Sequence, residues 1–154
     1  MPPIDGPVRV TRLHPGEGPR LRALRLRALV DAPDAFGSTA EETATRPPES
    51  WRQQLTDLAT FVVVVGGEDV GMVRSVLADG SAEDAYLLSM WVAPSARGRG
   101  AGDALIAAVI GWSRSVSARR VLLDVADDNA PAIALYARHG FVPTGVVGTL
   151  LPPR

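Results

Sequence analysis

The stretch Met90-Trp91-Val92-Ala93-Pro94-Ser95-Ala96-Arg97-Gly98-Arg99-Gly100-Ala101-Gly102-Asp103 passes from a strand into a helix through a glycine-rich turn. The strand stops at Pro94, which has no N–H to give to a ladder. The helix starts inside the turn, so its first backbone N–H groups lack intrahelical acceptors and carry partial positive charge. Successive N–H groups of this kind form a concave nest for an anion. Glycines here let a ligand approach the backbone where a Cβ would collide. Arg97 and Arg99 can add charge-assisted contacts to phosphate oxygens. Two common phosphate loops fit poorly. A dinucleotide fingerprint needs a third glycine where Asp103 stands, and a carboxylate there would repel a pyrophosphate; a Walker loop needs a lysine, which the chain lacks. On this stretch alone, an ordinary strand-to-helix turn is an equal alternative.

The flanking sequence places the loop in a mixed α/β pattern. Val8 to Leu13 reads as an opening strand, and Leu21, Leu24 and Ala28 fall on one helical face, with Arg20 to Arg27 as a solvated face beside it. Asp31-Ala32-Pro33-Asp34 stops that helix, and Pro47-Pro48 opens a second that runs to about Ala59. Thr60–Val65 and Val70–Ala78 form a hairpin through Gly66-Gly67-Glu68-Asp69, and Ala85–Val92 is a third strand. After the loop, Leu105, Val109 and Trp112 mark a helix, Val121–Val125 a short strand, and Pro131 to His139-Gly140 a last helix closed by glycine. A final strand is expected from Phe141. The predicted order is β-α-α-β-β-β-α-β-α-β, an antiparallel meander followed by a βαβ crossover.

Composition narrows the class. A chain of 154 residues, 46% apolar and 21% charged, suits one folded domain over residues 1–154. With a net charge of −1 it has no field for gripping nucleic acid or an anionic membrane, so neither is expected as a partner. The absence of cysteine removes disulfides, thiolate metal sites and a cysteine nucleophile. His14 and His139 are too few and too far apart for a histidine metal cluster, and no metal is expected. The first residues show neither the basic nor the apolar region of a signal peptide, and a cytoplasmic protein is expected.

With the downstream segments added, the chain resembles the GNAT acetyltransferase superfamily from about Phe61 to Gly145. Val92 and Pro94 match the strand end of that family. Arg97, Gly100 and Gly102 match its pyrophosphate loop, while Asn129, Ala132 to Tyr136 and Gly140-Phe141 match its later motifs. Asp31 to Ser38 also looks like the acceptor-side loop of small bacterial members. The resemblance implies a mixed, mostly antiparallel central sheet with helices on both faces and a splayed central strand pair. It implies an N-acetyltransferase that moves an acetyl group from acetyl-CoA to a small-molecule or peptide amine by direct attack. The cofactor set it implies is Met90, Trp91 and Val92 for the pantetheine arm, Arg97, Gly98, Arg99, Gly100, Ala101, Gly102 and Asp103 for the pyrophosphate, and Asn129.

Such chemistry has fixed requirements. An alkyl amine of pKa about 10.4 must lose its proton before it attacks, at about 4–5 kcal/mol near neutrality. The tetrahedral oxyanion needs a fixed donor, and the departing thiolate needs a proton. The resemblance gives the donor role to a backbone N–H near Met90–Val92 and the proton to Tyr136, which packing in a helix face would also explain. Asn129 is equally a helix cap. No base is assigned. Tyr86 stands where many members carry a carboxylate, and Glu83, Asp84, Ser89, Glu41, Glu42 and water all remain. That missing carboxylate keeps a non-catalytic acyl-CoA sensor as the alternative. Only Val142 to Leu151 remain for the family's terminal hairpin, so a homodimer covering the open edge is expected.

Overall fold

The described residues form a five-stranded sheet in the order β1-β2-β3-β4-β5 with helices packed on it. A computed structural model describes residues 6–33, 39–78 and 80–144. The strands are β1 (Val8–Arg12), β2 (Ala59–Val65), β3 (Glu68–Leu77), β4 (Asp84–Val92) and β5 (Arg120–Leu122). The helices are α1 (Gly18–Asp31), α2 (Ala40–Ala44), α3 (Pro48–Asp57), α4 (Ala101–Ser115) and α5 (Ala130–Arg138). Strands β1 to β4 pair antiparallel and β4 pairs β5 in parallel across the α4 crossover.

Phe61, Val62 and Val63 of β2 are all buried. Side chains alternate faces along a strand, so both faces of the sheet are covered. Leu21, Leu24 and Ala28 of α1, with Trp51 and Leu55 of α3, close part of this core, and Leu105, Ile106 and Val109 of α4 join it. Exclusion of this apolar surface from water is the main favourable term in the fold, at about 25 cal/mol per Å².

The hairpin turn is tighter than the sequence suggests. Val65 pairs with Glu68, and Gly66 (φ +58) and Gly67 (φ +79) form the whole loop. Both central residues at positive φ define the hairpin turn whose twist suits the flanking strands. Glu68 and Asp69 therefore already belong to β3, where Asp69 receives Arg20 of α1 at 2.6 and 3.0 Å. The Arg20–Arg27 face is correspondingly less solvated than expected. Arg25 is buried, and burial, with the charge of Arg46, lowers its guanidinium to about 10. Arg27 reaches over the hairpin to the Asp69 carbonyl at 2.6 Å.

Two further differences concern the ends. Strand β5 covers Arg120–Leu122 rather than Val121–Val125, because the chain leaves β4 after Leu122. Phe141–Thr144 is not strand, and residues 145–154, to which the rest of the last strand and the dimer contact were assigned, lie outside the described residues. The acceptor-side loop from Asp31 likewise falls largely outside them, and α2, a short helix capped by Thr39, follows it.

Gly71 shows how closely β3 sits under its neighbours. A Cβ there would lie 2.8 Å from the Trp91 carbonyl oxygen and 2.8 Å from Val63 Cγ1. Gly71→Ala is expected to destabilise the protein by about 1–3 kcal/mol through overpacking. Urea unfolding measures this, and an unchanged midpoint would mean that β2 and β4 yield freely.

Candidate active site

Strand β4 is paired on both sides only at its start. Asp84, Ala85 and Tyr86 face Arg120, Val121 and Leu122 of β5, and no described strand lies on that side from Leu87 to Val92. At about 3.3 Å per residue this leaves an open edge about 20 Å long. The β3–β4 register shifts between Met72↔Trp91 and Arg74↔Leu88, so Ser89 and Met90 together face the single residue Val73. This is a β-bulge. Ser89 takes φ +56, a left-handed conformation that costs a non-glycine residue about 1–2 kcal/mol. The bulge sits in the open part of β4 and redirects its backbone there.

Arg74 lies beneath the bulge and is wholly buried. Its Nε and Nη2 donate to Ser89 Oγ at 3.2 and 2.9 Å, and its Nη1 donates to Gln54 Oε1 of α3 at 2.9 Å. The sequence reading passed over Arg74 and Gln54. An arginine inside the otherwise apolar run of β3 was the available signal, since a buried charge needs built-in hydrogen bonds.

The glycine-rich loop opens at the far end of β4. Gly98 (φ +78) and Gly100 (φ +81) both take conformations that favour glycine, and a Cβ at either would meet no described atom within 4 Å. Helix α4 begins at Ala101, and its first backward bond runs from Ala104 N–H to the Gly100 carbonyl at 2.9 Å. The N–H groups of Ala101, Gly102 and Asp103 precede that bond, as an anion site at a helix start requires.

Charged side chains around the loop hold it in shape. Arg97 Nε donates to the Val92 carbonyl at 3.0 Å and its Nη2 to Asp31 Oδ2 at 2.8 Å. The same Asp31 oxygen accepts from Trp91 Nε1 at 2.9 Å, and the Arg27 guanidinium stands 5.5 Å from the Trp91 ring centre. Arg97 thus braces strand end, loop and α1. Trp91 is buried against α1, while Met90 and Val92 are half-buried. Asp31 was missed as a bracing residue because its partners are 60 and 66 positions away. The cleft between α1 and the strand end, about 750 Å³, is lined by Leu26, Val30, Trp91 and Pro94 among others.

Asp103 does not aim its charge at the loop unopposed. It receives His139 Nε2 at 2.7 Å and Arg138 Nη2 at 3.2 Å, both from the end of α5. The His139 hydrogen bond is the larger cause, with Arg138 next, that holds the Asp103 carboxyl below its usual range. Helix α5 also meets α4 where a Cβ on Gly102 would come within 3.0 Å of Leu135. Tyr136 follows, buried, with its ring edge-on to Phe141 at 5.7 Å, and burial pushes its phenol up to about 12. Among the described residues its hydroxyl makes no hydrogen bond. Asn129 caps α5, its side chain accepting from Ala132 N–H at 3.2 Å.

Two of the carboxylates proposed as bases lie at the other end of β4. Asp84 forms a fork with Arg120 at 2.8 and 2.9 Å, and Glu83 lies 3.6 Å from Arg119, both at the closed end of the β4–β5 pair. Glu41 and Glu42 are exposed on α2. Tyr86 is half-buried in the paired part of β4, three residues before the bulge.

The sheet thus opens one edge of β4 beside the glycine loop and the start of helix α4. The chain belongs to the Acetyltransferase (GNAT) family, which it matches over residues 26–141. It is 30% identical over 144 residues to a mycothiol acetyltransferase of Actinosynnema mirum, covering 92% of this chain and 46% of that protein. It is also 30% identical over 118 residues to the streptothricin acetyltransferase of Streptomyces lavendulae, covering 77% of this chain and 59% of the relative. The chain spans about half the length of the mycothiol acetyltransferases it matches. Its fold is similar to that of an aminoglycoside acetyltransferase from an uncultured soil metagenomic sample, with TM-score 0.78 and 23% identity over 96% of this chain and 99% of that one. It is likewise similar to AAC(6')-Iy bound to a CoA-containing bisubstrate analogue, with TM-score 0.74 and 21% identity over 97% and 100%.

The Asp103 contacts carry a pH consequence. A carboxyl held below its usual pKa stabilises the fold above the ordinary value near 3.9, and that contribution fades as pH falls through the lowered one. Asp103 is 41% exposed, so solvent screening limits its effect to about 1 kcal/mol or less. Asp103→Asn is expected to be slightly less stable than the parent at pH 7 and equal to it at the acid end. Thermal unfolding across pH 2–7 measures the difference, and a gap that widens toward acid would contradict the assignment.

Proposed function

We propose that this chain transfers an acetyl group from acetyl-CoA to the amine of a small molecule. The observation that carries the reading is the open edge of β4 ending at a helix start whose N–H groups face a glycine loop with room for phosphate. The residues present fit the donor. The Met90–Val92 edge would pair with the amide-bearing arm, the N–H groups of Gly98 to Asp103 would bind the pyrophosphate, and Asn129 would stand beside the arm. Bound there, acetyl-CoA supplies a thioester whose carbonyl carbon is open to attack.

The chain then has three tasks. A backbone N–H of the bulge near Met90 would stabilise the oxyanion from the open edge. Tyr136, which keeps its proton through the physiological range, supplies it to the leaving thiolate. The amine proton goes to water in the open cleft, since Asp84 and Glu83 are engaged with arginines at the other end of the strand. A sensor that binds the donor without reacting is not favoured, because the relatives are acetyltransferases. The names of the relatives and structural neighbours, mycothiol, streptothricin and aminoglycoside acetyltransferases, support a small-molecule acceptor. The reading includes a cytoplasmic setting and a homodimer formed through the segment after Phe141. No helix among the described residues is long and apolar enough to cross a membrane.

Two variants test it. Gly100→Asp places a carboxylate at the phosphate loop, where the folded chain has room for a Cβ, at a backbone cost of about 1 kcal/mol. The variant is expected to stay folded and lose acetyl-CoA binding by calorimetry; unchanged affinity would sink the assignment. Tyr136→Phe is expected to lower kcat about 10²–10⁴-fold with little change in donor affinity. Near-normal turnover in steady-state assays with chemistry rate-limiting would return Tyr136 to packing.

A further inference from the structure

We infer that the hydroxyl of Ser89 donates a hydrogen bond to the thioester carbonyl during transfer, with Arg74 as the residue that positions and polarises it. This rests on the acetyl-transfer reading above. A hydroxyl has two lone pairs and one hydrogen. Arg74 Nε and Nη2, at 3.2 and 2.9 Å, occupy both lone pairs of Ser89 Oγ. Among the described residues nothing accepts the remaining hydrogen. The guanidinium cannot swing aside, because it is buried and tied to Gln54 at 2.9 Å.

These contacts decide what Ser89 can do. With its lone pairs filled by a cation it takes up no proton, which removes it from the bases considered for the amine. Accepting from a charged donor polarises the O–H bond and makes it a stronger donor in turn. In acyl transfer the atom that gains acceptor strength is the thioester oxygen. The amine lone pair forms the N–C bond while the C=O π pair moves onto oxygen. Collapse restores C=O and expels the thiolate with the C–S pair, which is then protonated. Ser89 gives a hydrogen bond through both steps and keeps its proton. Its place fits the role, since it stands in the bulge on the open part of β4, immediately before the Met90–Val92 edge. The left-handed backbone at φ +56 is the local strain that puts it there.

Ser89→Gly is the decisive variant, because glycine adopts this backbone freely while the hydroxyl is lost with its Cβ. With acetyl-CoA and a panel of amino sugars, CoA release should fall about 10²–10³-fold in kcat. The calorimetric Kd for acetyl-CoA and the acceptor KM should stay within about threefold. Arg74→Met should lower kcat as well, and adding Ser89→Gly to it should change little further, because the two act as one unit. Ser89→Ala, which deletes the same hydroxyl, serves as the second variant if Ser89→Gly does not fold. Parental kcat in a folded hydroxyl-deletion variant overturns the inference. So does a kcat pH profile that loses its basic limb, which would put Ser89 in the proton path. A parent protein that neither binds acetyl-CoA nor releases CoA sinks the acetyl-transfer reading itself, and this inference with it.

Discussion

Backbone groups along an internal strand must be paired on both edges or find another partner. Strand β4 meets that demand fully only as far as Tyr86, where β5 leaves it. Beyond that point one edge stays open among the described residues, and the surrounding structure is arranged about the opening. The bulge at Ser89 and Met90 lies within it, and the loop from Arg97 to Gly100 turns the chain at its end. Helix α4 then carries the chain back to β5, which pairs just long enough to set the parallel register. A longer β5 pairing would close that edge, so the shortness of the strand is what keeps it open.

Keeping a bulge open in a sheet needs support from below. Ser89 pays for its left-handed backbone with contacts that only a buried cation supplies. Arg74 reaches it from the neighbouring strand, and Gln54 holds Arg74 from α3. The network ties strand register to helix placement, so α3 is fixed by polar contacts as well as by Trp51 and Leu55 in the core. A buried guanidinium so arranged adds little net stability, but it singles out one bulge position among several that apolar packing alone would tolerate.

Much of this was legible in the sequence because its causes are local. Glycines between β-branched runs specify a hairpin, though not its two-residue loop, and Pro94 followed by spaced glycines specifies a strand-to-helix turn. Asn129 before Pro131 and Gly140 after His139 bound α5 by capping chemistry. The antiparallel meander followed by a βαβ crossover is readable from the order of these signals. What escaped depends on residues distant in sequence. Arg25 looks like part of a charged helix face, and only the packing around α1 shows it buried. Asp31 looks like a helix terminator, and its hydrogen bonds to Trp91 and Arg97 exist only once α1 crosses the end of β4. The bulge at Ser89 and Met90 likewise exists only in its register against Val73 of the neighbouring strand.

The charges around the glycine loop explain why the loop is built from backbone. Arg97 is committed to Val92 and Asp31, and Asp103 to His139 and Arg138. Asp31 and Asp103 are thus each matched by a nearby cation or imidazole. Under the proposed function a phosphate would be met there by the N–H groups at the positive end of α4, and such groups need no reorganisation on binding. Side-chain pairs outside the loop fix its shape, while the loop itself stays small enough to be approached. Gly98 and Gly100 supply that smallness at the positions where their φ values already exclude most other residues. Shape and electrostatics therefore make the same demand of these positions, and glycine meets both.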